Sequence, residues 1–310
     1  MFLDGRLLFL YAEAPLHVGS GSGLGAVDLP IQRERFTGYP MIQASGLKGA
    51  LRSEILPGKD TETTAIFGPE DAEHAGAISP SDARLLLFPV RSLAGVFAWV
   101  TSMDVLARFL RDATAIGVAG LPSLPSSSPD TNCAYVASDQ VLAGDSVVLE
   151  EYAFMAIREA SVEKPMQELA EWLAQNALSG EKEYTYWANK LRKNLVILPN
   201  DAYRDFTQHA TEVVTRVKLE NETKTVATGA LWTQELLPAE SVLYATVNAT
   251  RLRMSNDKKP ATLAKAEAKA EAAAILEWIA NAQNIPHRFQ IGGDETVGRG
   301  IVRVSWKGGA

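Results

Sequence analysis

The run GSGSGLGAVDLPIQRER, from Gly19 to Arg35, constrains the fold of this chain more than any other. Glycine takes positive φ without steric cost and lets backbone approach a neighbour closely, so the alternating glycines from Gly19 to Gly25 prescribe a loop. Val27 favours extended backbone, and Pro30 keeps Leu29 out of the helical region. Asp28 therefore stands on a loop, where binding and catalytic groups concentrate. A lone carboxylate leading into Arg33 and Arg35 points to phosphate chemistry. A plain ion pair between Asp28 and either arginine is an equal reading of the same residues. The stretch Gly21 to Ala26 also satisfies the G-x-G-x-x-A dinucleotide fingerprint, but that fingerprint must open a helix and VDLP follows it here, which argues against a nicotinamide or flavin site.

The flanking segments supply the rest of an α+β pattern. Gly5 to Pro15, GRLLFLYAEAP, reads as an opening strand. In GLKGALRSEIL, Gly46 to Leu56, Leu47, Leu51 and Ile55 recur at four-residue spacing on one helical face, and Lys48 and Arg52 lie one turn apart on another. Phosphate at the start of that helix would meet free N–H groups, the positive dipole end and Lys48. ARLLLFPV and GVFAWVTS predict two strands, and MDVLARFLRDA from Met103 predicts a helix. Strand, helix, strand, strand, helix is the order of a ferredoxin-like half.

Leu121 to Asp130, LPSLPSSSPD, breaks regular structure and marks a boundary. Beyond it, residues 121–200 are expected to form an acidic, mostly helical insertion with a helix from Pro165, and residues 201–239 a hairpin region. Glu212 to Trp232 alternates as paired strands with turn formers at Asn221 to Lys224. Leu263 to Gln283, rich in alanine and charge, predicts a helix. HRFQIGG is expected as a last core strand, followed by a second glycine loop and IVRVSW. The core would then comprise residues 1–120 and 240–310.

PLHVGSG (Pro15 to Gly21), VDLPIQRER (Val27 to Arg35), SGLKGALR (Ser45 to Arg52), FPVRS (Phe88 to Ser92) and QIGGDETVGRG (Gln290 to Gly300) carry a family likeness. Together they resemble the backbone subunit of type III-B CRISPR effector complexes, the Cmr branch of the RAMP superfamily. The likeness runs in order from one end of the chain to the other, with one departure at Gly46, where a second serine is expected. It implies a ferredoxin-like (RRM-like) RAMP core with helical insertions and a projecting β-hairpin thumb. It also implies a subunit that stacks with copies of itself and other Cmr-complex subunits along a CRISPR guide RNA. Asp28 matches the residue with which the family cuts complementary target RNA, in a reaction expected to use a divalent metal, Mg²⁺ or Mn²⁺. Ser45, Lys48, Arg52, Arg91, Arg299 and the Gly292–Gly293 turn would contact RNA, as would Arg33 and Arg35.

The net charge of −7 looks hostile to that role, since RNA binding draws on lysine and arginine. Asp139 to Glu183 carries ten acids against three bases, which accounts for the whole excess. The remainder is neutral, with local positive runs at Arg33 to Arg52 and at Arg288 to Lys307. Cys133 is the sole cysteine, which excludes an internal disulfide and suits a reducing compartment. No apolar run spans a bilayer, so a cytoplasmic location is expected. Cys133, His17, His74, His209 and His287 show no zinc-ligand spacing. His17, close to the glycine loop, is a candidate accessory to catalysis. Two other readings stay open: a purely structural RNA-binding subunit, and a metal-independent guide-processing RAMP endoribonuclease using His17.

Overall fold

The computed structural model describes residues 2–23, 25–220, 222, 223 and 225–308. The chain opens with β1 (Asp4–Ala12), then β2 (Met41–Ile42), α1 (Ala44–Ser53), α2 (Asp60–Phe67) and β3 (Ile78–Pro80). A hairpin of β4 (Ala83–Ser92) and β5 (Val96–Ser102) leads into α3 (Met103–Ala115). Next come β6 (Cys133–Val136), β7 (Ser146–Leu149), β8 (Tyr152–Ile157), α4 (Ala160–Asn176), α5 (Thr185–Asn194), β9 (Leu195–Leu198) and α6 (Asn200–His209). The last part holds β10 (Glu212–Leu219), β11 (Val226–Leu236), β12 (Val242–Ala249), α7 (Ala268–Ile279), β13 (Arg288–Gln290) and β14 (Ile301–Gly308). Among the described residues no helix is long and apolar enough to cross a membrane.

All strands but β10 and β11 join one sheet in the order β13-β14-β1-β12-β4-β5-β9-β6-β8-β7, with β2 on β4 and β3 on β12. The far end turns back on itself where Ser92 of β4 meets Leu149 of β7, which gives that half a barrel-like closure. β1 is covered on both faces, by α7 on one and by the Phe109 and Trp172 rings against Phe9 on the other. Leu7 to Ala12 is therefore buried without alternation, the pattern of a strand with no solvent face.

The structure departs from the sequence reading in its strand pairing and in the bounds of several elements. β1 pairs with β12, antiparallel over Asp4↔Ala249 to Tyr11↔Val242, so β12 and not β5 is the third strand of the unit that β1, α1 and β4 begin. Pairing over more than two hundred residues leaves no local signal, so β4, β5 and α3 look like the continuation of β1 and α1 when only their order is visible. Residues 121–200, expected as a mostly helical insertion, also contribute β6 to β9, and β9 lies parallel to β5 within the sheet. HRFQIGG supplies only the short β13, which pairs with β14 alone; β14 takes the inner place next to β1. Helix α4 begins at Ala160, five residues before Pro165, and α7 is shorter than the expected Leu263 to Gln283.

The β10–β11 ribbon joins no other strand, meets the glycine loop at its base where Leu29 bridges Gln234, and leaves Val213, Val217, Val226 and Leu231 exposed. Its turn was expected at Asn221 to Lys224, and two of those positions, 221 and 224, lie outside the described residues.

Candidate nucleic-acid interface

Asp28 is exposed on the glycine loop, yet its carboxylate is fixed. Oδ2 accepts hydrogen bonds from the Thr233 backbone N–H at 2.7 Å and the Thr233 hydroxyl at 2.8 Å, and the Asp28 N–H donates back to that hydroxyl at 3.0 Å. These bonds, the backbone one foremost, hold the Asp28 pKa below the usual carboxylate range, so it is a full negative charge at neutral pH. Neither Arg33 nor Arg35 pairs with it, which removes the plain ion-pair reading.

Arg33 is committed elsewhere. It pairs with Glu235 and donates to the carbonyls of Gly38 (2.7 Å) and Thr207 (2.9 Å), so it ties the loop to α6 and β11 rather than offering a cation to RNA. Glu235, only 6% exposed, also accepts from the Ile31 N–H (3.1 Å) and the Thr211 hydroxyl (2.8 Å). The glycine loop is thus bolted to the base of the ribbon through Thr233 and Glu235. Beside it runs a groove of about 420 Å³ lined by Gly23, Val27, Arg33, His209 and Val213.

His17 lies beneath the loop. Its Nδ1 is 2.8 Å from the Glu235 carbonyl, which can only accept, so Nδ1 carries the proton and Nε2 of a neutral ring has a free lone pair. The second glycine loop closes over the His17 backbone: Gly293 N–H donates to its carbonyl at 2.8 Å, and a Cβ at Gly292 (φ 90°) would stand 2.5 Å from that same oxygen. The Gly292–Gly293 turn, expected against RNA, is thus required by this close approach between loops. Asp294, next along, takes Arg216 (3.1 Å) and the Gln234 amide, joining the second loop to the ribbon as well.

The basic residues divide into separate groups. On α1, Leu47 and Leu51 face the core while Lys48 and Arg52 lie half-buried, with Lys48 on the Ile78 carbonyl (3.4 Å) and Arg52 on the Gly68 carbonyl (2.7 Å). Burial first, then repulsion from Arg52 and Arg253, lowers the Lys48 pKa, so three cations share this surface. Arg253 has no sequence pattern to mark it; it arrives because β12 pairs with β3 at Ala249↔Ile78, beside the Lys48 contact. Ser45 is exposed at the start of α1, where Asp82 already accepts from the Ala44 N–H at 2.8 Å. Arg91 is not part of this group, lying seven residues along β4 from Arg84, roughly 23 Å at 3.3 Å per residue. Arg288 and Arg303 are paired with Glu13 and Glu181, so the carboxy-terminal basic run is largely neutralised; Arg299 faces Glu212 at the ribbon base.

A model of the RAMP superfamily matches residues 9–303. The chain belongs to the RAMP superfamily. Within that superfamily it is 38% identical over 307 residues to the CRISPR system Cmr endoribonuclease Cmr4 of Pyrococcus furiosus, covering 97% of this chain and 95% of that protein. Against the crystal structure of oligomeric Cmr4 from Pyrococcus furiosus the TM-score is 0.72 at 30% identity, covering 99% of this chain and 98% of the other. A chain of the type III-B Cmr-beta complex bound to cognate target RNA has the same RAMP fold, with a TM-score of 0.69 at 22% identity over 98% of both.

Among the described residues no group of three or more His, Cys, Asp or Glu gathers closely enough to hold a metal ion. Asp28 meets a smaller demand. Mg²⁺ keeps several waters and needs only one or two carboxylates, and no other described residue donates to Asp28 Oδ1.

Proposed function

We propose that this chain is a guide-RNA-binding subunit of a type III-B CRISPR effector complex, stacking with copies of itself and other Cmr-complex subunits, and that it cuts the paired target RNA at regular intervals. The observation that carries this reading is the Asp28 carboxylate, exposed and ionised, held on Thr233 at the foot of a solvent-exposed ribbon. The likeness over nearly the whole chain to a protein named a Cmr endoribonuclease supports it.

The core is ferredoxin-like in this reading. The sequence order β1, α1, β4, β12, α7, β14 with the spatial order β14-β1-β12-β4 is a β-α-β-β-α-β unit in which everything from β5 to β11 is inserted between its second and third strands. The ribbon, emerging from that insertion, is the thumb that displaces a base pair. Lys48, Arg52 and Arg253 grip the guide backbone and read no bases, so specificity comes from guide pairing.

Cleavage joins the target's 2′-oxygen to phosphorus and breaks the bond to the 5′-oxygen, leaving a 2′,3′-cyclic phosphate and a 5′-hydroxyl. The 2′-hydroxyl loses its proton and the departing oxygen gains one. A carboxylate held below its usual pKa is a weak base, so Asp28 acts through its fixed charge: it orients the 2′-hydroxyl or holds a hydrated cation. That cation, when bound, supplies charge neutralisation at the phosphate. In this reading His17 would accept a proton through Nε2 as an accessory.

Excess EDTA is expected to abolish cutting of complementary RNA by the guide-loaded complex while guide RNA stays bound, as read on denaturing gels and by filter binding. Full cutting in EDTA would instead favour the metal-independent reading through His17. Thr233→Val keeps the backbone bond to Asp28 and loses the hydroxyl bond, so the Asp28 pKa rises and the acid limb of the rate–pH profile moves to higher pH. At neutral pH Asp28 stays ionised in both forms, so the rate there should fall far less than in Asp28→Asn, and only through the looser hold on the carboxylate. Lys48→Ala combined with Arg253→Ala should weaken guide binding with every guide sequence and lower the slope of log affinity against log salt by about 2.

A further inference from the structure

Phe36 is 82% exposed, the most exposed large apolar side chain among the described residues. The turn that carries it is held by its own bonds. Gly38 N–H donates to the Glu34 carbonyl (2.8 Å), Glu34 N–H to the Tyr39 carbonyl (2.9 Å), and the Thr37 hydroxyl to Glu34 Oε2 (2.7 Å). Glu34 is buried between Arg108 (2.8 Å) and Arg84 (3.6 Å), and Arg33 holds the Gly38 carbonyl from the other side. Gly38 takes a φ of 75°, which a side chain would strain. Such a turn holds the Phe36 backbone at the surface, with its ring standing in solvent. Arg35, beside it, is exposed and has no ion-pair partner among the described residues.

The turn is also joined to the Asp28 loop through one side chain. Arg33 bonds Gly38, Thr207 and Glu235, and Glu235 lies two residues from Thr233, which holds Asp28. Between the two ends runs the groove lined by Val27, Arg33 and His209. A rigid aromatic face with an adjacent free guanidinium matches an unstacked nucleobase and its phosphate, because every base offers a π-face and every linkage a negative charge.

We propose that Phe36 and Arg35 form a second target-RNA subsite: Phe36 stacks on an unpaired base near the scissile phosphate, and Arg35 pairs with its phosphate. The inference rests on the reading that target RNA lies over Asp28. Stacking there would keep a displaced base from refilling the duplex and would hold the cut linkage in register with Asp28.

The test uses guide-loaded complex and target RNAs carrying a single 5-iodouridine at successive positions around each cut site. Irradiation is expected to attach one position per interval to the peptide containing Phe36. Phe36→Ala should lose that attachment and weaken target binding about tenfold, the scale of one base stacking on an aromatic ring, while Phe36→Trp keeps both. No attachment at any position, with target binding unchanged in Phe36→Ala, overturns the proposal. So does a Phe36→Ala defect confined to association of the chain with itself in the absence of RNA, which would make the turn a protein contact. Cleavage of unmodified target is scored in the same wild-type sample: cutting without attachment defeats only the subsite, whereas no cutting defeats the reading of Asp28.

Discussion

Asp28→Asn is expected to reduce single-turnover cleavage of complementary RNA by at least about 100-fold, the low end of what loss of one preorganised electrostatic group costs. Asparagine has the same shape and its carbonyl can still accept from the Thr233 N–H and hydroxyl, so the loop keeps its place. What is lost is the charge alone. Guide content and assembly should be unchanged, because the proposed guide-binding residues Lys48, Arg52 and Arg253 are on α1 and the segment after β12, and make no bond to the Asp28 loop. A purely structural subunit would show no difference between the two forms.

The second large effect concerns stability. Glu271, in the first turn of α7, is completely buried and accepts from Lys259 (2.9 Å), Arg251 (3.2 Å) and the Leu252 N–H (3.2 Å). Burial pushes its pKa up, but these partners outweigh it and leave the carboxyl below its ordinary value. Glu271→Ala strands the Lys259 ammonium, itself 8% exposed, without a counter-charge, and should cost about 3–5 kcal/mol. Because the folded pKa is depressed, the pair stabilises the fold above the unfolded value of about 4.3 and loses this contribution as pH falls through the folded value. Urea unfolding of wild type and Glu271→Ala should therefore differ most at neutral pH and draw together as the pH falls below the unfolded value of about 4.3. A gap that widened on acidification would contradict the sign.

The Asp28 site is half legible in the sequence. Glycine and proline announce a loop through their own backbone restrictions, and the leucine spacing of α1 announces a helix, so the local settings of Asp28, Lys48 and Arg52 follow from their immediate neighbours. Those of Thr233 and Glu235 do not. They are ordinary residues of an alternating strand, and their role comes from β11 lying under a loop two hundred residues earlier. Arg253 likewise gains its place from the β12–β3 pairing. Arg33 shows the converse: its charge suggests RNA, but a buried carboxylate and two carbonyls claim it. The helix dipole argument for α1 is blunted by Asp82, a residue no local pattern connects to that helix. The segments that joined the sheet, β6 to β9, are short strands, four to six residues each, beside the 17-residue helix α4, whose pattern dominates the segment.

The most direct measurement of the central claim uses complexes assembled on one guide from wild-type and Asp28→Asn chains in set proportions, with the ends of the target fragments mapped at each cut site. If every copy both holds the guide and cuts opposite it, the cut positions stay fixed and evenly spaced, and the yield at each falls in proportion to the variant fraction, reaching background when only variant is present. Undiminished cutting by the all-variant complex, with guide content unchanged, would show that another group does the chemistry and that this chain only orders the RNA.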